Sequence, residues 1–243
     1  GLDAYSGWWN SVTTGDLDGD GRLDLIAGNW GLNTLWQATP ARPTRIYYGD
    51  LGGQGNVDLI EAETDPATGA IAPVRTLNSL ANAMPFLRGR FATYQAYSEA
   101  SVVEVLGPAA AHAQEVRAST LASMVFLNRG DHLEARELPM EAQVAPVFGI
   151  SVADMDGDAH EDVFLSQNFF ATRPEVPRLD AGRGLWLRGD GTGKLHAVPG
   201  QESGVKIYGE QRGAAVADFN EDGRIDLVVT QNGAPTRLFQ NVT

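Results

Sequence analysis

The sequence predicts an all-β protein that is built from repeated β-hairpins and carries a short helical insertion. Short apolar runs rich in β-branched residues come in pairs, and an acidic loop separates the two members of a pair. The same nine-residue acidic pattern occurs three times, and a fourth copy keeps its outline. Over residues 76–119 the apolar residues recur at steps of three and four instead, which is typical of short helices.

Composition limits the possible functions. The 243 residues are 43% hydrophobic and 20% charged, so the chain can bury a full core and is neither disordered nor fibrous. The formal net charge of −13 argues against a nucleic-acid partner, because phosphates recruit basic surfaces. No apolar run approaches the roughly 20 residues of a membrane span. The chain opens without a signal-peptide pattern, so we expect a mature segment or a piece of a longer protein.

The acidic pattern predicts calcium sites. We number its positions 1 to 9 and name its full copies loop 1 (residues 16–24, DLDGDGRLD), loop 2 (154–162, DMDGDAHED) and loop 3 (218–226, DFNEDGRID). Calcium takes six to eight oxygen ligands, which suits side chains at positions 1, 3, 5 and 9 and a backbone carbonyl at position 7. The predicted ligand residues are Asp16, Asp18, Asp20, Arg22 and Asp24; Asp154, Asp156, Asp158, His160 and Asp162; and Asp218, Asn220, Asp222, Arg224 and Asp226.

An EF-hand is the first alternative, and the sequence excludes it. That motif closes with a glutamate at position 12 and continues into a helix. Here position 12 is Ala27, Leu165 or Val229, and the residues around it form short apolar runs. Each loop is therefore expected to cap a β-hairpin, with the position-9 aspartate at the start of the second strand.

The fourth copy, residues 50–58 (DLGGQGNVD), is degenerate. Gly52 and Gln54 replace two of its carboxylates, so we expect a calcium-free turn; whether Asp50 binds any ion is left open. Among the full loops, position 6 favours glycine, and loop 2 has Ala159 there. Loop 2 compensates with a complete set of carboxylates, so all three full loops are expected to be occupied at millimolar calcium.

The predicted elements follow from the same patterns, in chain order. Hairpins are expected at 8–14 with 23–28, 44–49 with 57–63, 123–128 with 132–138, 148–152 with 163–165, 184–189 with 194–198, and 214–217 with 227–229, and single strands near 34–37, 70–75 and 236–242. Two or three short helices are expected between residues 76 and 119, with Pro85 and Pro108 as breakers or first-turn residues.

The hairpin units at residues 12–26 and 216–229 resemble FG-GAP/VCBS repeats, the blades of integrin-α-type β-propellers. Residues 77–87, 141–149 and 167–170 resemble the VCBS portion of secreted ASPIC/UnbV-type proteins, without their separate C-terminal domain. The resemblance implies a calcium-binding β-propeller that acts as a binding or scaffold module without catalysis. It also implies a secreted, cell-surface or periplasmic location.

Counting strands gives about fifteen, or about four blades of four strands. Integrin-type propellers have more blades, so we expect an arc of a larger propeller or a homodimer that completes one. The expected domain organisation is propeller blades at residues 1–75, the helical insertion at 76–120 and further blades at 121–243.

Several motifs leave alternatives open. Trp30 and Trp36 belong to a group of four tryptophans that suits either sugar stacking, as in a carbohydrate-binding propeller, or packing between blades. The partner is therefore a protein or a glycan. The tripeptide RGD occurs at residues 129–131 and 188–190, where turn formation explains it better than adhesion. No nucleophile or acid–base pair can be placed, so no enzymatic activity is expected.

Overall fold

The computed structural model describes residues 1–242, which are mostly β-structure. The strands are β1 (Ser11–Gly15), β2 (Asp24–Gly28), β3 (Thr44–Gly49), β4 (Asp58–Thr64), β5 (Ile71–Pro73), β6 (Gln114–Ala118), β7 (Met124–Asn128), β8 (Leu133–Glu137), β9 (Val147–Ala153), β10 (Asp162–Gln167), β11 (Leu185–Gly189), β12 (Leu195–Val198), β13 (Glu210–Ala217), β14 (Asp226–Asn232) and β15 (Ala234–Phe239). The α-helices are α1 (Leu77–Ala83), α2 (Leu87–Arg90), α3 (Tyr94–Ser98), α4 (Val102–Leu106) and α5 (Gly200–Ser203). The predicted all-β class with a short helical insertion is confirmed.

The chain forms two compact units. Unit 1 comprises Gly1–Leu2, Trp8–Leu35 and the residues from Leu121 onward, and unit 2 comprises Asp3–Gly7 and Trp36–Thr120. Unit 1 holds three antiparallel sheets with the strand orders β1-β2-β7-β8, β12-β11-β10-β9 and β13-β14-β15. Unit 2 holds a fourth antiparallel sheet, β5-β4-β3-β6, together with helices α1 to α4. The domain boundaries expected after residues 75 and 120 stay a prediction.

The sheet of β9 to β12 is covered on both faces within unit 1. All six residues of β10 are buried, and neighbouring side chains enter different apolar clusters. Val163 and Leu165 pack with Ile26 of β2 on one side, whereas Phe164 packs with Leu227 of β14 on the other. Burial of both faces explains why β10 contains a continuous apolar run rather than an alternating one.

The first strands of the three sheets in unit 1 lie side by side. Strand β9 packs against β1 and also against β13. The backbones approach closely where glycines face each other: a Cβ atom added to Gly149 of β9 would lie 3.0 Å from the Cα atom of Gly213 in β13. This approach positions the three loops at the ends of neighbouring sheets.

Unit 2 buries one face of its sheet beneath the helices. Ile60 of β4 packs with Leu80, Leu87 and Val105, which come from α1, α2 and α4. Helices of four to seven residues are marginal on their own, so this packing stabilises them. Ser101 adds a capping box at the start of α4 by exchanging hydrogen bonds with Glu104.

Three details of the sequence prediction are wrong. Residues 34–37 form no strand; the backbone N–H of Gln37 instead donates to Oε1 of Glu63 at 3.0 Å. Residues 114–118, predicted as part of the helical insertion, form the edge strand β6. Its first four residues are exposed and lack an apolar pattern. It pairs with β3 through the backbone and through an ion pair of 3.2 Å between Arg45 and Glu115. The insertion contains four short α-helices rather than two or three.

Candidate metal centres

The three full loops have the same place in their hairpins. In each hairpin, the residue directly before position 1 is the cross-strand partner of the aspartate at position 9. The pairs are Gly15 with Asp24, Ala153 with Asp162, and Ala217 with Asp226. Position 9 therefore begins the second strand, as the sequence predicts.

The aspartate at position 1 organises the loop backbone. The two carboxylate oxygens of Asp16 accept the backbone N–H groups of Asp20 at 3.0 Å and Gly21 at 2.9 Å. Loops 2 and 3 repeat both bonds, and Asp50 repeats them in the degenerate loop. In loops 1 and 3 each of these oxygens accepts one hydrogen bond and keeps an acceptor position for a cation. In loop 2, Oδ1 of Asp154 also accepts the N–H of Gly157 at 2.7 Å, which leaves the free acceptor position on Oδ2.

Position 6 has a left-handed backbone in every copy. The φ angles are 83° at Gly21, 87° at Gly223 and 78° at Gly55. Ala159 has a φ angle of 69° at the same place in loop 2. An alanine in this region is strained by its Cβ atom, so loop 2 has a conformational cost that the other loops avoid.

The aspartate at position 9 joins its loop to the last residue of the third strand of the same sheet or, in loop 3, to a residue just after that strand. In loop 1, Oδ2 of Asp24 accepts the N–H of Leu17 at 3.0 Å, and Oδ1 accepts the N–H of Asn128, the last residue of β7, at 2.7 Å. The equivalent donors are Met155 and Gly189 for Asp162, and Phe219 and Asn241 for Asp226.

Burial distinguishes these position-9 aspartates from the other acidic residues of the loops. Asp24, Asp162 and Asp226 are at most 2% exposed. Burial raises the pKa of Asp24 and of Asp162 because it disfavours the charged form, and the backbone N–H donors oppose this effect only in part. A bound cation would stabilise the same ionised form.

Loops 1 and 2 each bring three carboxylates together. Oxygen atoms from positions 1, 3 and 9 lie within 4.8 Å of one another, in the groups Asp16, Asp18 and Asp24, and Asp154, Asp156 and Asp162. At position 3, the Oδ1 atoms of Asp18 and Asp156 are buried and accept no hydrogen bond from residues 1–242. A buried carboxylate oxygen without a donor is costly, and a divalent cation satisfies it. The donor set therefore fits a hard dication.

The other oxygen at position 3 contacts an arginine in both loops. The Arg129 guanidinium pairs with Oδ2 of Asp18, whose side chain is only 6% exposed. Nε of Arg188 lies 2.8 Å from Oδ2 of Asp156 without hydrogen-bond alignment. Both arginines begin RGD tripeptides in the sequence, and the prediction of turns there does not include these contacts. No local signal identifies the Arg129 contact, because Arg129 and Asp18 lie 111 residues apart in the chain.

The side chain at position 5 accepts the backbone N–H of position 7 and is not part of a carboxylate group. At position 5, the Oδ1 atoms of Asp20, Asp158 and Asp222 accept the backbone N–H of Arg22, His160 and Arg224 at 2.9, 2.9 and 3.0 Å. These aspartates lie outside the two carboxylate groups. Ligation by the position-5 side chains and by the position-7 carbonyls stays a prediction.

Loop 3 differs from the other two. Within residues 1–242, its carboxylates do not form a comparable group of three. Asn220 at position 3 donates to Oδ2 of Asp222 at 3.0 Å and accepts the Asp222 N–H at 3.1 Å. This bonding lowers the pKa of Asp222. The position-3 oxygen of loop 3 is therefore already engaged within the loop, whereas the position-3 Oδ1 atoms of loops 1 and 2 are not.

The degenerate loop keeps the turn without the carboxylate group. The pKa of Asp50 is lowered mainly by the N–H groups of Gly55 and Gln54. Its half-buried Asp58 accepts the N–H of Gly52 at 2.9 Å. Because only two carboxylates remain, the expectation of a calcium-free turn is unchanged.

The tryptophans near loop 1 take part in aromatic packing. The ring of Trp30 lies 5.8 Å from that of Trp8 and 5.2 Å from that of Phe169, and Trp9 lies 6.2 Å from Phe126. These contacts fit the packing interpretation of the cluster. The sugar-binding alternative stays a prediction.

Comparison with known proteins identifies one repeat. The family model for the FG-GAP repeat matches residues 8–31, which contain β1, loop 1 and β2. No curated protein matches the chain significantly. The first hairpin is therefore similar to an FG-GAP repeat, a type of binding module. No helix in residues 1–242 has the length and apolar character needed to cross a membrane.

Proposed function

We propose that this chain is a calcium-binding, β-propeller-type binding module of the FG-GAP/VCBS kind, without catalytic activity. The observation that carries the proposal is the repeated geometry of loops 1 and 2. Each places carboxylates from positions 1, 3 and 9 together and leaves a buried position-3 oxygen without a hydrogen-bond donor. The FG-GAP match over loop 1 supports the same function independently.

Each aspartate has its own part in ion binding. Asp16 and Asp24 are oriented by backbone N–H groups, so they are positioned before an ion arrives. Asp18 supplies the unsatisfied oxygen. A bound calcium ion would add charge neutralisation at the tip of the hairpin. If three ions bind, the formal charge of −13 becomes −7, an ordinary surface charge.

The module is proposed to work outside the cytoplasm as a secreted, cell-surface or periplasmic protein. Millimolar calcium in such environments can saturate sites of modest affinity. The partner is proposed to be a protein, with a glycan as the alternative. A second copy of the chain that completes the propeller is part of the same proposal.

Metal analysis tests calcium binding directly. Calcium bound to the wild type and to the double variant Asp18→Ala/Asp156→Ala is measured by equilibrium dialysis at millimolar free calcium. The proposal expects the wild type to bind calcium and the variant to bind two equivalents less. Equal amounts of bound calcium in both proteins, or no bound calcium in the wild type at millimolar free calcium, would contradict it.

A further inference from the structure

Two arginines from different backbone positions reach the same place in loops 1 and 2. Arg129 follows the last residue of β7, whereas Arg188 lies inside β11, one residue before its end. Both nevertheless place the guanidinium group on Oδ2 of the position-3 aspartate. Loop 3 has Asn220 at position 3, and its amide bonds within the loop.

Neighbouring side chains hold each guanidinium group. Nε of Arg129 contacts Oε2 of Glu134 at 2.8 Å. Arg188 lies over the ring of Trp186, 5.2 Å from its centroid. The arginines are therefore anchored beside the carboxylate groups, even though their side chains remain 28% and 42% exposed.

We propose that Arg129 and Arg188 are built-in counter-ions that compete with calcium. Each compensates the position-3 aspartate while its loop is empty, and each lowers the affinity of that loop for the metal. This inference rests on the proposed calcium function. It identifies the two arginines as residues that determine the calcium affinity of loops 1 and 2.

Two opposing effects decide whether the arginine raises or lowers the calcium affinity of its loop. By holding Oδ2, the arginine orients the free Oδ1, and fixing one side chain favours binding slightly. Its unit charge also repels a dication beside it. Even at the dielectric constant of water, repulsion across about 5 Å corresponds to roughly tenfold in affinity, and partial burial strengthens it. Repulsion is therefore the larger effect.

The test measures the calcium affinity of each loop separately. Proteins labelled with ¹⁵N-glycine are titrated with calcium and followed by NMR at Gly21 for loop 1, Gly157 for loop 2 and Gly223 for loop 3. The variants are Arg129→Gln and Arg188→Gln. Arg136→Gln is the matched control. Arg136 also pairs with Glu134, at 2.6 Å, and its substitution changes the net charge of the protein by the same amount.

We expect Arg129→Gln to tighten binding at loop 1 about tenfold and Arg188→Gln to do the same at loop 2, each without a comparable change elsewhere. Arg129→Lys keeps the charge and should stay close to the wild type. With a chelator present, Arg129→Gln should melt at a lower temperature, because Asp18 loses its counter-charge. If the role of Arg129 were only structural, its replacement would lower stability without increasing the calcium affinity.

The inference is overturned if Arg129→Gln and Arg188→Gln leave the affinity unchanged or weaken it while the wild type binds calcium. Equal tightening by Arg136→Gln would also overturn it, since net charge alone would then explain the effect. If the wild type shows no binding at loop 1 or loop 2 at millimolar calcium, the proposed function itself fails. That failure is visible before any variant is compared.

Discussion

Oδ1 of Asp24 accepts the backbone N–H of Asn128 at 2.7 Å, although the two residues are 104 positions apart. The same carboxylate accepts the N–H of Leu17 through Oδ2 at 3.0 Å. One buried side chain thus joins loop 1 to strand β7, which returns to this sheet only after the whole of unit 2. Asp162 makes the equivalent connection in loop 2, to Gly189 of β11.

The first prediction separates this connecting role from metal binding. In Asp162→Asn, the side-chain NH2 group faces one of the two backbone N–H groups that donate to Asp162, so one hydrogen bond is lost. In the presence of a chelator, the variant should therefore lose roughly 2–4 kcal/mol of unfolding free energy. Asp156→Asn, in the same loop, should lose less than about 1 kcal/mol, because its Oδ1 has no donor and its ion pair is partly exposed.

Urea unfolding with a chelator present measures both variants. Equal losses for the two substitutions would contradict the connecting role, because they would show that position 9 is no more important to the ion-free fold than position 3.

The second prediction concerns the strained backbone of loop 2. Ala159→Gly should stabilise the protein by about 1 kcal/mol, because its φ angle of 69° is easily adopted by glycine. The reverse change at the same position of loop 1, Gly21→Ala, should destabilise by a similar amount. Thermal unfolding compares the two variants. A destabilising Ala159→Gly would show that the added conformational entropy of the unfolded chain outweighs the relief of strain in the folded loop.

The third prediction concerns the close approach of β9 and β13. Gly149→Ala should cost about 1–3 kcal/mol, because the new Cβ atom would lie 3.0 Å from the Cα atom of Gly213 and the backbone must shift. Gly89→Ala in α2 is the control, since nothing lies within 4 Å of its added Cβ atom. If Gly149→Ala leaves the unfolding free energy measured in urea unchanged, the two strands can move apart at little cost.

The fourth prediction is a loss of stability at high pH. Burial raises the pKa of Tyr97 to about 12, and its hydroxyl donates to the carbonyl of Arg75 at 2.6 Å. The unfolded chain binds fewer protons than the folded one between the unfolded pKa near 10 and about 12. The contribution of Tyr97 is therefore complete below pH 10 and falls as the pH rises through this window.

Stability measured from pH 9 to 12 tests the Tyr97 prediction, with Tyr97→Phe as the reference. The difference between wild type and variant should shrink as the pH rises. A pH-independent difference would contradict a buried, protonated phenol at this position.

The sequence predicted the hairpins because their signals are local. Loop carboxylates, flanking apolar runs and turn residues lie within about twenty positions of each other, as in β9, loop 2 and β10. Strand β6 was missed because its edge position leaves it polar, so only pairing with β3 identifies it. The helix-rich region was predicted, but its four short helices end at turns that periodicity does not resolve.

The candidate site was predictable only in part, because only some of its contacts lie within one loop. The carboxylates at positions 1, 3 and 9 follow from spacing within each loop. The contacts of Arg129 with Asp18 and of Arg188 with Asp156 join residues from separate strands, and no local pattern specifies them. The different bonding of Asn220 was likewise not evident from the sequence, because an asparagine can also supply an oxygen ligand.

The most direct test of the central claim is the melting temperature with and without calcium. At a hundredfold excess over the dissociation constant, one bound ion adds about 2.7 kcal/mol. For a protein of this size we expect the melting temperature to rise by at least about 5 °C at saturating calcium. The rise should be smaller in Asp18→Ala/Asp156→Ala, which lacks the position-3 oxygen in both loops. An identical melting temperature for the wild type in millimolar calcium and in chelator would contradict the claim that loops 1 and 2 are calcium sites.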